Sequence, residues 1–199
     1  MLAWWSVDRR WLLGGVLVAG GIGLARALTA RPKLDENSRV LVIGDSLARG
    51  MTPHFHTLAE EAELPLLSIA QTGTRVDQWA DSPELAESLI GFDPSHVFIS
   101  LGTNDAYTNF APEEVAEDVQ ALVEMIKETD AHVIWIGAPE LPPASGGMPL
   151  HPDILEAIRE KAPNYYDSTS LDIPRGPDLL HPTAAGYAGW AGAIWNWLT

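Results

Sequence analysis

Short apolar runs alternate with amphipathic segments along most of this chain, and this alternation constrains the fold more than any other feature. Five runs are typical of buried strands, at residues 40–43, 66–70, 97–101, 133–137 and, more weakly, 165–167. Five stretches have helical patterns, at residues 47–62, 83–90, 112–128, 151–162 and 183–198. Strands that alternate with helices pair in parallel, and the helices cover both faces of the sheet. The sequence therefore predicts an α/β fold built on a parallel sheet of about five strands.

Small and polar residues follow three of the predicted strands. Ser46 comes soon after the first strand, Gly73 after the second and Asn104 after the third. In parallel sheets of this kind, ligands bind beyond the carboxyl ends of the strands. We therefore expect these three residues to share one site.

An acid and a base lie three residues apart near the end of the chain. Asp178 and His181 are bracketed by Pro177 and Pro182, which favour a loop. A serine hydroxyl becomes a good nucleophile when an imidazole takes its proton and a carboxylate orients that imidazole. The sequence thus predicts Ser46, His181 and Asp178 as nucleophile, base and acid.

The other candidates for the site are hydrogen-bond donors and substrate contacts. Acyl transfer creates an oxyanion, and three donors could bind it: the backbone N–H groups of Ser46 and Gly73 and the side-chain amide of Asn104. We expect Arg75 either to contact an anionic or sugar substrate or to be solvated or salt-bridged, and Trp79 to contact substrate. Residues 139–149 are predicted to form either a site wall or a solvated connection.

Two carboxylates adjoin the predicted site residues. Asp45 precedes Ser46, and Asp105 follows Asn104. For both we expect a hydrogen bond that stabilises the loop rather than a catalytic role.

Four segments resemble, in order, the conserved blocks of the SGNH, or GDSL, hydrolase family. Ser46, Gly73, Asn104 and His181 match its four signature residues, and Asp178 matches its triad acid. The resemblance covers residues 39–199, although Gln71 and Thr72 replace the asparagine that commonly precedes the glycine. The nucleophile elbow Gly-x-Ser-x-Gly of another hydrolase class fits less well, because Ala48 stands where its last glycine would be.

The resemblance implies a three-layer, flavodoxin-like fold and a serine esterase that works through an acyl-enzyme. The family includes lipases, thioesterases, carbohydrate deacetylases and acyltransferases. We expect hydrolysis of short acyl esters, with deacetylation of a cell-envelope glycan as the favoured case. An O-acyltransferase, a lipase or thioesterase, and a non-catalytic membrane-tethered binding module are the alternatives.

Composition excludes several other classes. The chain of 199 residues has a formal net charge of −15 and contains no cysteine. Such an acidic chain is a poor binder of phosphate backbones, so nucleic acid is not an expected partner. Thiol catalysis and cysteine-bound zinc are excluded, and His54 and His56 point to different sides of a helix. We therefore expect no cofactor and no metal, and a small-molecule or glycan ester as substrate.

The amino-terminal segment has a separate character. Residues 11–25 are uncharged and largely apolar, between Arg9 and Arg10 on one side and Arg26 on the other. This pattern predicts a hydrophobic helix that is either a signal anchor or a cleaved signal peptide. We therefore divide the chain into residues 1–38, anchor or signal with linker, and a catalytic domain at 39–199. The expected location is the cell envelope: membrane-anchored with the domain exported, or secreted or periplasmic after cleavage.

Overall fold

The computed structural model describes residues 31–199, and the helices and strands of this part of the chain lie within residues 32–199. The strands are β1 (Val40–Gly44), β2 (Leu66–Ser68), β3 (His96–Ser100), β4 (His132–Ile136), β5 (Ala144–Ser145), β6 (Met148–Pro149) and β7 (Tyr165–Tyr166). The α-helices are α1 (Ser46–Glu61), α2 (Asp77–Ala80), α3 (Pro83–Phe92), α4 (Pro112–Lys127), α5 (Pro152–Lys161) and α6 (Ala184–Leu198). A 3₁₀ turn spans Asp105–Tyr107.

The predicted parallel sheet is confirmed in the part of the chain that the structure describes. Five strands pair in parallel in the order β2-β1-β3-β4-β7, with Val42 opposite Phe98 in the central pair. Counted along the sheet, this is the flavodoxin-like order 2-1-3-4-5, whose ligand site lies where the strand order reverses. That point is the carboxyl end of β1 and β3.

Both faces of the sheet are covered by helices because side chains alternate along each strand. Leu41 and Ile43 belong to a core that also holds residues of α3, α4 and α5. Val40 and Val42 belong to a second core, shared with α1 and α6. The three-layer arrangement is thus an outcome of strands that are apolar on both sides.

Capping side chains and prolines at the first positions of the helices fix where the helices begin. Asp45 caps α1 by accepting a hydrogen bond from the backbone N–H of Leu47 at 2.8 Å. Ser82 caps α3 in the same way, and proline opens α3, α4 and α5. The cap at Asp45 matters most, since it sets the position of the residue that follows.

Some details differ from the sequence-based expectations. The segment 139–149 contains a small antiparallel hairpin, β5–β6, and residues 77–80 form a short helix that was not predicted. The hydrophobic helix predicted at the amino terminus lies outside the described residues. Within residues 31–199, no helix is long and apolar enough to cross a membrane.

Candidate active site

Three side chains form a hydrogen-bonded chain at the carboxyl edge of the sheet. The Oγ atom of Ser46 lies 2.8 Å from Nε2 of His181. The Nδ1 atom of the same imidazole lies 2.7 Å from Oδ2 of Asp178. The residues come from positions 135 apart in sequence, so only the tertiary fold brings the hydroxyl to the imidazole.

The charge state of Asp178 decides how the protons are arranged. Its hydrogen bond with the His181 side chain, helped by the backbone N–H groups of His181 and Leu180, lowers the pKa of Asp178 to about 2. An ionised carboxylate only accepts hydrogen bonds, so Nδ1 of the imidazole donates to it. In the neutral imidazole Nε2 is then the acceptor, and the Ser46 hydroxyl donates to it.

A tight loop holds Asp178 and His181 together. The backbone N–H of Gly176 donates to the carbonyl of His181 at 2.7 Å, and Arg175 pairs with Pro182 across the loop neck. Leu179 adopts a left-handed conformation with φ 58° at the loop tip. The side chain of Asp178 can therefore turn back onto the imidazole three residues later.

Glycine at position 44 allows the turn that carries Ser46 to form. Gly44 has φ 143°, and a Cβ atom there would lie 2.1 Å from the carbonyl oxygen of Ser100. The next residue, Asp45, donates its N–H to that same oxygen at 3.1 Å. The end of β1 thus lies in close contact with the end of β3. Ser46 follows directly, at the point of the sheet where the strand order reverses.

Gly73 and Asn104 lie on neighbouring loops at the same edge. Gly73 has φ 81°, a left-handed conformation that favours glycine, and a Cβ at that position would meet no atom within 4 Å. The side-chain nitrogen of Asn104 lies 2.8 Å from the carbonyl oxygen of Thr74 and 3.3 Å from Oδ2 of Asp45. Asn104 therefore links the Gly73 loop to the turn that carries Ser46.

A cavity of about 250 Å³ opens beside these two residues. Its walls come from four loops, at residues 73–75, 104–108, 145–148 and 180. The lining residues are Gly73, Arg75, Asn104, Tyr107, Thr108, Ser145, Met148 and Leu180. The hairpin β5–β6 thus contributes to the site wall, which was one of the two expectations for residues 139–149.

Arg75 lines this cavity but is already paired. Its guanidinium donates to Asp77 at 3.0 Å and lies 5.3 Å from the centre of the Phe110 ring. The side chain is 30 % exposed, so the ion pair is partly solvated. The structure thus shows the salt bridge that was one of the two expectations for Arg75, whereas its contact with substrate stays a prediction.

The prediction that Trp79 contacts substrate is wrong. Trp79 is 2 % exposed and packs in the core beneath α3 and α4, because its indole ring is one of the largest apolar groups near this sheet face. Its Nε1 donates to the hydroxyl of Thr74 at 3.0 Å. The indole therefore supports the Gly73 loop from below instead of presenting a surface.

The two carboxyls beside the site make the loop hydrogen bonds that were predicted. Asp45 accepts from Leu47 N–H, and Asp105 accepts from the backbone N–H of Val76 at 3.2 Å. Burial raises the pKa of Asp45 to about 7 and that of Asp105 to about 6, and the charge of Asp105 adds to the effect on Asp45. Both groups are thus far less acidic than a solvated carboxyl.

The sequence patterns did not single out several residues of the cavity wall. Tyr107 donates its hydroxyl to the carbonyl of Pro142 at 2.7 Å, which ties the 3₁₀ turn to the segment before the hairpin. Ser145 and Met148 lie on the hairpin itself. The expectation for residues 139–149 covered them only as part of the segment, since their individual places depend on how distant loops fold over the sheet edge.

A second cavity, of about 410 Å³, adjoins the loop that carries His181. It is lined by Arg175 and Leu179 of that loop, together with residues 140–143 and 171–173.

Among the described residues, no group of three or more His, Cys, Asp or Glu side chains is arranged to hold a metal ion. The arrangement at the carboxyl edge of the sheet can supply a nucleophile, a proton acceptor and hydrogen-bond donors.

Comparison with known proteins gives a family and a fold. The model of the GDSL-like lipase/acylhydrolase family matches residues 42–188. The psychrotrophic esterase EstA from Pseudoalteromonas sp. is 18% identical, with a TM-score of 0.62 over 80% of this chain and 96% of that one. A GDSL-like lipase from Bacteroides thetaiotaomicron is 18% identical, with a TM-score of 0.63 over 88% and 94% of the two chains.

A further match covers only part of a larger protein. A peptidoglycan O-acetylesterase is 19% identical, with a TM-score of 0.59 over 68% of this chain and 46% of that one. No curated protein sequence matches significantly. At these identities the structural matches establish a shared fold.

Proposed function

The chain belongs to the GDSL-like lipase/acylhydrolase family, and from that premise we propose that it is a serine esterase that hydrolyses short acyl esters. One observation carries the proposal. Ser46, His181 and Asp178 are joined by hydrogen bonds of 2.8 and 2.7 Å, in the order that nucleophilic catalysis needs.

In the first half of the reaction Ser46 acts as the nucleophile. Its Oγ attacks the ester carbonyl carbon while its proton passes to Nε2 of His181. The carboxylate of Asp178 stabilises the imidazolium that forms. The tetrahedral intermediate then expels the alcohol, which takes the proton from Nε2, and the acyl group stays on Oγ.

The donors beside the cavity stabilise the negative oxygen of the intermediate. We assign this role to the N–H groups of Ser46 and Gly73 and to the amide of Asn104. Both Gly73 and Asn104 line the cavity, so an ester bound there can place its carbonyl oxygen near them. Loss of one such donor typically lowers turnover by a factor of about 100 to 1,000.

In the second half of the reaction water releases the acyl group. His181 takes a proton from water, hydroxide oxygen attacks the acyl carbon, and the proton returns to Oγ as the carboxylic acid leaves. An O-acyltransferase would follow the same steps with a sugar hydroxyl in place of water. Product analysis with an added glycan acceptor distinguishes the two outcomes.

The size and lining of the cavity support a short acyl group on a polar substrate. Its volume of about 250 Å³ is below the roughly 300–1,000 Å³ that is common for sites of drug-sized ligands. Arg75, Thr108 and Ser145 supply hydrogen-bonding groups in its wall. An acetylated glycan of the cell envelope fits both features, and one protein with the same fold is a peptidoglycan O-acetylesterase.

A fluorophosphonate probe tests the assignment of the nucleophile. We expect covalent labelling at Ser46 and none in Ser46→Ala, which should also lose hydrolysis of p-nitrophenyl acetate. Ser145→Ala is the matched control for labelling, since it removes another serine hydroxyl from the cavity wall and leaves Ser46 in place. Equal labelling or full activity in Ser46→Ala would refute the proposal, and silence from the folded wild type would favour a non-catalytic binding module.

A substrate panel tests the acyl preference. We expect kcat/KM to fall steadily from p-nitrophenyl acetate to the octanoate, and acetylated oligosaccharides to release acetate. A preference for the octanoate or for acyl-thioesters would instead indicate the lipase or thioesterase alternative.

We also propose that residues 1–38 direct the domain to the cell envelope, as a retained anchor or a cleaved signal. The proposal rests on the uncharged run at residues 11–25 and its flanking arginines. Fusion of alkaline phosphatase after Lys33 in a bacterial host should give periplasmic activity. Absence of periplasmic phosphatase activity from a fusion that is expressed would contradict export.

A further inference from the structure

A buried carboxyl group contacts both the nucleophile turn and the oxyanion amide. Asp45 is fully buried, and its Oδ1 accepts from Leu47 N–H at 2.8 Å while its Oδ2 lies 3.3 Å from Nδ2 of Asn104. The same Nδ2 donates to the carbonyl of Thr74 at 2.8 Å. Three loops of the site thus meet at two side chains.

Helix capping alone does not explain why a carboxyl stands at position 45. Asparagine and serine cap helices about as well as aspartate. A buried carboxyl is costly, since burial raises the pKa of Asp45 to about 7. The feature specific to Asp45 is its second oxygen, which accepts from Asn104.

That second oxygen fixes which way the amide of Asn104 points. The amide has one oxygen and one nitrogen end, and two acceptors, Thr74 O and Asp45 Oδ2, face the nitrogen end. A flipped amide would put its oxygen against both acceptors, which is unfavourable. It would also place the amide oxygen, which cannot donate a hydrogen bond, where the nitrogen should meet an oxyanion. The 3.3 Å contact is longer than a typical N–H···O bond, so the hydrogen that faces Asp45 is held weakly and can be shared with a developing oxyanion beside it.

We propose that Asp45 is a positioning residue for the oxyanion hole, which acts through Asn104 by holding its N–H group ready for the oxyanion. The inference rests on the proposed esterase function. It assigns Asp45 an effect on the transition state more than on substrate binding. The effect should therefore appear in kcat and leave KM nearly unchanged.

A double-mutant cycle tests the coupling. Asp45→Asn keeps a helix-capping oxygen but replaces the acceptor that faces Asn104. We expect it to lower kcat about tenfold on the wild-type background, the effect of a misplaced donor, with KM within about twofold. On the Asn104→Ala background the same substitution should change kcat by less than about twofold, because the amide it positions is gone.

The neighbouring buried carboxyl provides the matched control. Asp105 accepts from Val76 N–H, and no hydrogen bond joins its side chain to Asn104 among the described residues. The factors by which Asp105→Asn changes kcat with and without Asn104 should differ much less than those of Asp45→Asn. Circular dichroism checks the folding of each variant, and Asp45→Ser, which also caps the helix, replaces Asp45→Asn if that variant does not fold.

Two results overturn the inference: a wild-type kcat in Asp45→Asn, or an equal loss of kcat on both Asn104 backgrounds. The second would mean that Asp45 acts through general stability alone. Failure of the proposed function itself looks different, since Ser46→Ala would then keep the wild-type rate.

Discussion

Replacing His96 by glutamine removes a histidine that the fold holds in its neutral form. His96 begins β3, is 4 % exposed, and its Nδ1 lies 2.8 Å from the hydroxyl of Ser95. Its Nε2 is buried without a hydrogen-bond partner among residues 31–199. Burial, with a smaller contribution from the nearby His132, lowers the pKa of His96 from 6.5 to about 4. Protonation of this ring is therefore unfavourable in the folded state.

The size and sign of the effect follow from this pKa. The unfolded chain binds a proton at His96 below about pH 6.5, whereas the folded chain does so only below about pH 4. The stability contributed by the neutral ring is thus complete above the unfolded pKa and is lost as the pH falls toward the folded pKa. The total loss is about 3 kcal/mol, of which about 2 kcal/mol is lost by about pH 5.

Urea unfolding at about pH 7.5 and about pH 5 measures this loss, with circular dichroism as the signal. The wild type should lose about 2 kcal/mol more than His96→Gln between the two conditions. The comparison of variants is needed because Asp45 and Asp105, whose pKa values are raised to about 7 and about 6, gain stability over the same range. His56→Gln, at an exposed position of α1, is the control and should behave as the wild type. An identical pH dependence in His96→Gln and wild type would refute the reasoning.

Three further predictions concern the site and its frame. Gly44→Ala places a Cβ 2.1 Å from the Ser100 carbonyl oxygen at φ 143°, so we expect a loss of at least about 3 kcal/mol in urea unfolding; near-native stability would contradict this close approach. Asp178→Asn removes the carboxylate that orients the imidazole, and kcat should fall by about 10² to 10⁴ with the fold intact by circular dichroism; an unchanged kcat would exclude an essential acid at this position. Tyr107→Phe removes the 2.7 Å hydrogen bond to the Pro142 carbonyl, so the cavity wall should loosen and KM rise with kcat nearly unchanged; an unchanged KM would show that this bond does not shape the site.

Local patterns were sufficient for the elements that lie between the loops. The strand at Val40–Gly44 and the helix at Pro112–Lys127 each depart from the predicted bounds by one residue. Apolar runs and helix-start prolines are read over neighbouring residues, and the two-sided burial of the strands requires helices on both faces. The carboxyl-edge location of Ser46 follows from the same local pattern.

Interpretation failed where a side chain had two compatible environments. Trp79 follows the Gly73 loop closely, so an exposed contact and a buried support were equally consistent with its position in sequence. In the structure the indole is buried because it packs against the apolar side chains of the sheet, α3 and α4. The hairpin β5–β6 was missed because its strands have two residues each, too few to show a periodic pattern.

The amino-acid sequence by itself determined the strand and helix succession, the parallel sheet, and the residue types available at the strand ends, since each depends on short-range periodicity and steric preference. Only the tertiary structure decided that Oγ of Ser46 lies 2.8 Å from the imidazole 135 residues away, and that Asp45 contacts Asn104 across 59 residues. These distances depend on how strands of different sequence position pair in the sheet and how loops close over its edge. The sequence predicted Ser46 and His181 as partners, but the distance between them leaves no trace in the spacing of residues along one chain, because it is set by packing of the whole core.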